Sequence, residues 1–346
     1  MLDIPEEAVA AADPAGMLGH VQSYPRMVEA ALQQRPDVRP LSRRPARVLV
    51  VGMGGSAISG DYLAAWLDAE GDVPVLVSRN YELPAWVDRD TLVLAFSYSG
   101  TTEETLAAFA QARQKGAMLA AMSTGARLQE LAQKYGAPFA KIPATGLQPR
   151  AALPSSFATS ALLLEGLGLL KAEAALRAAV STLDAVQLDE SKRAALALEG
   201  TIAGTYAAGL LAPAARRFAN QLNENAKVLA WWGVMPEMNH NELVGWAGDD
   251  ALDRFTAVFL RHADEHPQAK ARYDFTAKLV QERGGQVLQM EAKGATVAEK
   301  LLTSSMVGDA ASVYLAALRK VDPTPVKVIS ELKAKVGETG FAARIE

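Results

Sequence analysis

Glu224 and His240 stand 16 residues apart in a stretch too polar for ordinary core: Asn223-Glu224-Asn225-Ala226-Lys227, then Pro236-Glu237-Met238-Asn239-His240-Asn241-Glu242. A histidine ordinarily titrates near pH ~6.5 and can give or take a proton under cellular conditions. The amides of Asn223 and Asn225 are positioned in sequence to fix the Glu224 carboxylate for proton transfer. Upstream, Ser97-Tyr98-Ser99-Gly100-Thr101-Thr102 forms a hydroxyl-rich turn directly after an apolar run. A carboxylate, a histidine and a phosphate-sized cradle are the parts needed to move a proton along a phosphorylated sugar. The plain alternative for the first pair is a buried hydrogen-bonded network that only organises the fold.

These residues need a scaffold, and the hydrophobic pattern supplies one. Val48-Leu49-Val50-Val51 is a continuous apolar run, the mark of a strand buried on both faces. Strand-like segments follow at 74–77, 91–96 and 117–122, with helices over 61–68 and 103–115. Alternation of buried strands and helices implies a parallel sheet covered on both sides. A weaker repeat runs through 255–260, a helix over 269–283 stopped by Gly284-Gly285, and a strand at 286–290. Two α/β domains of related architecture follow: a helical arm over 1–40, a first domain over 41–155, linking helices over 156–198, a second domain over 199–320 and a tail over 321–346. Asp13-Pro14 is expected to start the arm helix, which runs to about Gln34, and a short amphipathic helix is expected over 326–336.

On that scaffold the hydroxyl-rich turn joins a strand to a helix. Backbone N–H groups at a helix N-terminus favour an anion, and the hydroxyls of Ser97, Ser99 and Thr102 would add donors around a phosphate. Simple capping by Thr101 or Thr102 is the alternative, but capping takes one hydroxyl, not four. Gly52-Met53-Gly54-Gly55-Ser56-Ala57 matches the loose dinucleotide fingerprint. No acid follows the next strand to hold a ribose, which leaves only an NADP reading through Arg79. A bare tight turn and a backbone approach for sugar hydroxyls, at Gly54 and Gly55 with Ser56 nearby, are the other readings.

Composition narrows the field. Half of the 346 residues are hydrophobic and the net charge is −4, which argues against general nucleic-acid binding. The absence of cysteine excludes disulfides and thiolate chemistry and fits a cytoplasmic protein. The N-terminus lacks a signal-peptide pattern, and the apolar stretch 158–170 is too interrupted to span a membrane. His20 receives no role. His262 and His266 are spaced i, i+4, but Ala263 follows His262 where a zinc-protease motif has glutamate and no third ligand is evident, so no metal is assigned and a solvated helix start is expected there.

Six motifs in order resemble the bifunctional phosphoglucose/phosphomannose isomerases of the sugar isomerase (SIS) superfamily. They are Gly-Met-Gly-Gly-Ser at 52–56, Ser-Tyr-Ser-Gly-Thr-Thr at 97–102, Gln-Pro-Arg at 148–150, Asn-Glu-Asn-Ala-Lys at 223–227, Pro-Glu-Met-Asn-His-Asn-Glu at 236–242 and Glu-Leu-Lys at 331–333. The resemblance implies two SIS domains, each a five-stranded parallel sheet flanked by helices, in a homodimer with a shared active site. It implies a phosphorylated hexose as substrate and no cofactor. Ser97, Ser99 and Thr102 would hold the phosphate, with Ser56, Gly54 and Gly55 nearby. Glu224 would shuttle a proton between C2 and C1 through a cis-enediol(ate), and Arg150 would stabilise the enediolate charge. His240, donated by the neighbouring subunit, would open the sugar ring with help from Lys333. Ala151-Ala152-Leu153-Pro154 after the arginine and Trp231-Trp232 on the substrate side would tune which sugars enter. A non-catalytic sugar-phosphate sensor is the competing reading, but it would need the cradle without Glu224, Arg150 and His240.

Overall fold

The computed structural model describes residues 4–144, 146, 148–248 and 252–339. In chain order the elements are α1 (Glu6–Ala12), α2 (Met17–Gln22), α3 (Tyr24–Gln33), β1 (Arg47–Val51), α4 (Gly54–Glu70), β2 (Val75–Ser78), β3 (Thr91–Phe96), α5 (Glu103–Gln114), β4 (Met118–Ser123), α6 (Ala126–Tyr135) and β5 (Phe139–Lys141). Then come α7 (Leu153–Gly166), α8 (Glu173–Asp184), α9 (Asp189–Leu198), β6 (Ile202–Ala208), α10 (Ala212–Glu224), β7 (Ala230–Met235) and α11 (Glu242–Trp246). The last are β8 (Phe255–Arg261), α12 (Pro267–Glu282), β9 (Gln286–Glu291), α13 (Val297–Leu318) and α14 (Lys327–Gly337). Two compact units result. One gathers Pro25–Val180 with the segment from Val326; the other gathers the chain up to Tyr24 with Ser181–Pro325.

The first unit holds a five-stranded parallel sheet in the order β2-β1-β3-β4-β5. Every residue of β3 is buried, as an unbroken apolar strand between two helical layers must be. Leu49, Val51, Val93 and Ala95 project from the strands into a core shared with Leu106 and Phe109 of α5 and Leu128 and Leu131 of α6.

The second unit is also parallel and α/β, in the order β7-β6-β8-β9. It carries four strands among the described residues rather than the five implied for each sheet. After β4 the chain makes α6 and returns as β5; after β9 it enters α13 directly. That helix is fastened by a capping box, with Thr296 accepting from the Glu299 N–H and Glu299 accepting from the Thr296 N–H. By length and hydropathy α13 could cross a membrane. It is, however, buried over 94% of its most apolar window, as a core helix is.

Smaller differences have local causes. Asp13 does not begin a helix with Pro14 as its first residue. It ends α1, and its carboxylate accepts from the Met17 and Leu18 N–H groups, each at 2.8 Å, to cap α2. The arm is therefore three short helices, not one. α4 starts at Gly54, seven residues ahead of the expected 61–68, because glycine-rich sequence hides a helix start from propensity. The tail helix lies close to its expected place, while residues 340–346 of the tail and 1–3 of the arm lie outside the described residues.

Candidate active site

The hydroxyl-rich turn lies between β3 and α5, at the carboxyl edge of the first sheet. Its geometry is internally braced. Ser97, fully buried, donates its hydroxyl to Thr102 Oγ1 at 2.8 Å and accepts from the N–H groups of Gly100 (3.1 Å) and Thr102 (3.3 Å). Ser97 therefore shapes the loop from beneath. Ser99 and Thr101 are exposed and their hydroxyls lie 3.0 Å apart. Thr102 occupies the N-cap position of α5, yet its side chain makes no capping bond to that helix. The first N–H groups of α5 are thus left for something other than the Thr102 side chain, the arrangement that suits an anion. Glu103 in that first turn is engaged by the Tyr81 hydroxyl at 2.6 Å, and this bond pushes the tyrosine pKa up to about 12.

A neighbouring loop that sequence reading passed over holds the turn in shape. Thr124, just after β4, gives both its N–H (3.0 Å) and its hydroxyl (2.9 Å) to the Tyr98 carbonyl. Gly100 has φ +74°, and a Cβ there would sit 1.9 Å from the Gly125 carbonyl oxygen. No other residue fits without moving one of the two loops. The signal was available as Ser123-Thr124-Gly125, a second hydroxyl-and-glycine turn directly after an apolar run.

The glycine turn after β1 joins the same edge. Ser56 is buried and its hydroxyl accepts from the Tyr98 N–H at 3.1 Å, so Ser56 and the 97–102 turn are one hydrogen-bonded unit. Gly54 opens α4 with φ +51°, and Gly55 brings that helix end close to the 3-10 turn Pro149–Ala152. A Cβ at Gly55 would meet the Pro149 carbonyl oxygen at 3.2 Å and Arg150 Cα at 3.4 Å. Arg150, 5% exposed, is thereby placed beside the start of α4. Arg79, the residue an NADP reading needs, is paired with Asp61 of α4.

The other residues lie elsewhere. Glu224 is the last residue of α10 in the second unit, half-buried, with Lys227 donating to its carbonyl at 2.6 Å. The neighbouring amides anchor the chain around it. Asn223 donates to the carbonyls of Ala219 (2.7 Å) and Ala230 (2.9 Å) and accepts from the Ala230 N–H, while Asn225 donates to Ser312 Oγ at 2.9 Å. They fix the backbone on either side of Glu224, and those bonds do not go to its carboxylate. A helix end leaves carbonyls without partners, and these side chains anchor it.

His240 ends the 3-10 turn Glu237–His240 and is exposed. Asn239 ties that turn to α12 through Thr276 (3.0 Å), and Asn241 caps α11 by accepting from the Glu242 N–H. Glu242 accepts from the Tyr206 hydroxyl (2.8 Å) and the Trp231 indole (3.1 Å). Trp231 stacks on Trp246 at 6.2 Å in the second unit's core, so it is a packing residue and not a substrate-side one. Trp232 is the more exposed of the two, under the Arg216 guanidinium. Burial and the Glu242 charge push the Tyr206 pKa well up, keeping it a hydrogen-bond donor. Lys333 lies on α14, exposed like most of that helix. His266 is the N-cap of α12, accepting from the Gln268 N–H.

Residues 41–134 match the SIS domain family, and residues 187–336 match the bacterial phospho-glucose isomerase C-terminal SIS domain. A bifunctional phosphoglucose/phosphomannose isomerase from Caldicellulosiruptor bescii is 37% identical over 93% of this chain and 99% of its own length. Another from Aquifex aeolicus is 33% identical over 84% of this chain and 90% of its own. At the level of fold, the C-terminal domain of glucosamine-fructose-6-phosphate aminotransferase from Francisella tularensis superposes with a TM-score of 0.71 at 15% identity, covering 89% of this chain and 98% of that one. With its two SIS regions and near full-length likeness to these enzymes, the chain belongs to the family of bifunctional phosphoglucose/phosphomannose isomerases.

Proposed function

We infer that this chain is an aldose–ketose isomerase that interconverts glucose 6-phosphate and fructose 6-phosphate, and mannose 6-phosphate with the same ketose. The carrying observation is the braced turn at 97–102, where exposed hydroxyls and an α5 N-terminus without a Thr102 side-chain cap are held ready for a phosphate. Ser99, Thr102 and the first N–H groups of α5 bind the phosphate oxygens, Ser97 holds the loop's curvature, and Ser56 couples it to the Gly54-Gly55 turn.

The chemistry then divides among four groups. His240, with Lys333 assisting, moves a proton onto the ring oxygen as the C1 hydroxyl loses one, which opens the pyranose. Glu224 takes the C2 proton of the open aldose, leaving a cis-enediol(ate), and returns it to C1 while the C2 hydroxyl proton passes to the C1 oxygen, which gives the ketose. Arg150 faces the enediolate oxygen, where charge develops and a preorganised cation stabilises the transition state most. Mannose 6-phosphate needs the proton returned to the opposite face of C2. The exposure of His240 supports a homodimer in which this residue serves the partner's site. No cofactor, nucleic acid or membrane enters the scheme, and a phosphorylated hexose substrate supports a cytoplasmic enzyme at a step shared by glycolysis and gluconeogenesis.

The test is a coupled assay of fructose 6-phosphate conversion with the wild type and Glu224→Gln. The substitution keeps the shape and removes the base, so the rate should fall by roughly 10² to 10⁴ while phosphate still binds. Equal measurable rates would overturn Glu224 as the base, and no conversion by the wild type would leave a sugar-phosphate sensor. Mannose 6-phosphate run in parallel decides between one and two aldose substrates.

A further inference from the structure

The segment Asn223-Glu224-Asn225-Ala226-Lys227 is anchored to an extent that its length alone does not require. Asn223 ties the last turn of α10 to β7. Asn225 is wholly buried, and its amide reaches Ser312 on α13 at 2.9 Å. Ser312 is itself wholly buried and passes its own proton to the Asp309 carbonyl at 2.6 Å. The Ala226 carbonyl accepts from Arg319 at 2.9 Å. Lys227 adopts φ +55°, a conformation that favours glycine or asparagine, and its ammonium spans the carbonyls of Glu224 (2.6 Å), Asn225 (3.5 Å) and Pro323 (3.3 Å).

A helix that merely needed to stop would place glycine in the left-handed position and an apolar residue in the buried one. Here both positions carry polar side chains, Asn225 donating to the Ser312 hydroxyl and Lys227 to the carbonyls of Glu224, Asn225 and Pro323. A second tie fixes the same two helices upstream: Arg217 of α10 and Asp309 of α13 form a buried pair joined by the Tyr24 hydroxyl. The C-terminal end of α10 is thus fixed against α13 at two points, and Glu224 lies immediately beside the second.

We propose that Asn225 and Ser312, with Lys227, are positioning residues for Glu224, holding its carboxylate in register with the C1–C2 bond of the sugar. This rests on the reading of Glu224 as the base. Proton transfer at carbon is steeply sensitive to placement, and a misplacement of about 1 Å costs on the order of 100-fold. Removing the amide-to-hydroxyl bond should therefore slow the chemical step and spare substrate binding, since the phosphate contacts belong to other residues.

The experiment is a cycle of Ser312→Ala, Asn225→Leu and the double variant, with Lys227→Met as a surface variant that leaves the core intact. For each, kcat and KM for fructose 6-phosphate, the isotope effect with glucose 6-phosphate deuterated at C2, and Tm are measured, with Glu224→Gln as reference. Expected are a kcat fall on the order of 10- to 100-fold, KM within about twofold, and a raised isotope effect, because proton transfer becomes more fully rate-limiting. The double variant should be no slower than the worse single one. If the core variants fail to fold, Lys227→Met alone carries the same expectation. Wild-type kcat and isotope effect in the folded variants, beside an inactive Glu224→Gln, would overturn the positioning role and leave the base in place. An active Glu224→Gln would overturn the reading beneath it.

Discussion

The two sheets each send a loop from a central strand into a helix, β3 to α5 and β8 to α12, and the loops differ in every property that bears on an anion. After β3 come Ser97 to Thr102, with hydroxyls, a glycine at φ +74° and an N-cap side chain that makes no bond to its helix. After β8 come His262, Ala263, Asp264, Glu265 and His266. There His266 caps α12 with its own ring, and Pro267 removes the N–H of the first helical position. Glu265 is held by Arg261 at 2.9–3.0 Å and Asp264 by Lys300, so the loop closes on itself through ion pairs. Burial, then the Lys300 charge, lowers the His262 pKa and keeps its ring neutral. The same strand–loop–helix plan is the proposed ligand cradle in one unit and a structural corner in the other. What separates them is whether the helix N-terminus is occupied by the protein's own side chains.

Substitutions can break that contrast. Gly100→Ala should have the largest effect, because its Cβ would force the 97–102 turn away from Gly125. KM for fructose 6-phosphate and the inhibition constant of inorganic phosphate should both rise on the order of 100-fold. Unchanged phosphate inhibition would mean that the turn is not the cradle. Ser97→Ala comes next. It removes the side-chain acceptor of the Thr102 N–H and one of the two acceptors of the Gly100 N–H, at a cost of about 1–3 kcal/mol in loop geometry, and KM should rise roughly tenfold with kcat nearly kept. Smallest is Asp264→Ser, which brings a hydroxyl into the second loop. Steady-state kinetics should stay within about twofold of wild type, since one hydroxyl does not reopen a capped helix end. A gain in phosphate affinity measured by calorimetry would blur the distinction between the loops.

How far the sequence carries depends on the kind of feature. β1, β3, β4 and β8 are legible because buried parallel strands read as apolar runs, and they lie close to their expected places, as do β2 and the mostly unburied β9. β6 is not, since Ile202-Ala203-Gly204-Thr205-Tyr206-Ala207-Ala208 has the alanine of a helix and the glycine of a turn. Its Gly204 is demanded by a neighbour distant in sequence: a Cβ there would meet the Trp231 ring at 2.7 Å. β5, three residues long, leaves no periodicity to detect. For the candidate site, residue types that carry chemistry stand out, and so Glu224, His240 and the hydroxyl turn are visible, while Arg150 enters only through the family resemblance. The direction of an amide is not. Asn223 and Asn225 flank Glu224 in sequence, yet nothing in the local pattern points Asn223 to the Ala230 backbone of β7 or Asn225 to Ser312 of α13, 87 residues away.

α13 is buried along nearly its whole length, and a helix so placed exchanges its amide hydrogens for deuterium only when its unit opens as a whole. Ser312 rides on that helix, so the tie at Asn225 belongs to the slowest-exchanging part of the second unit rather than to a fraying helix end. On warming, Glu224 should keep its register until the unit melts. Turnover would then stop at the temperature where α13 loses its protection, with no milder inactivation ahead of it.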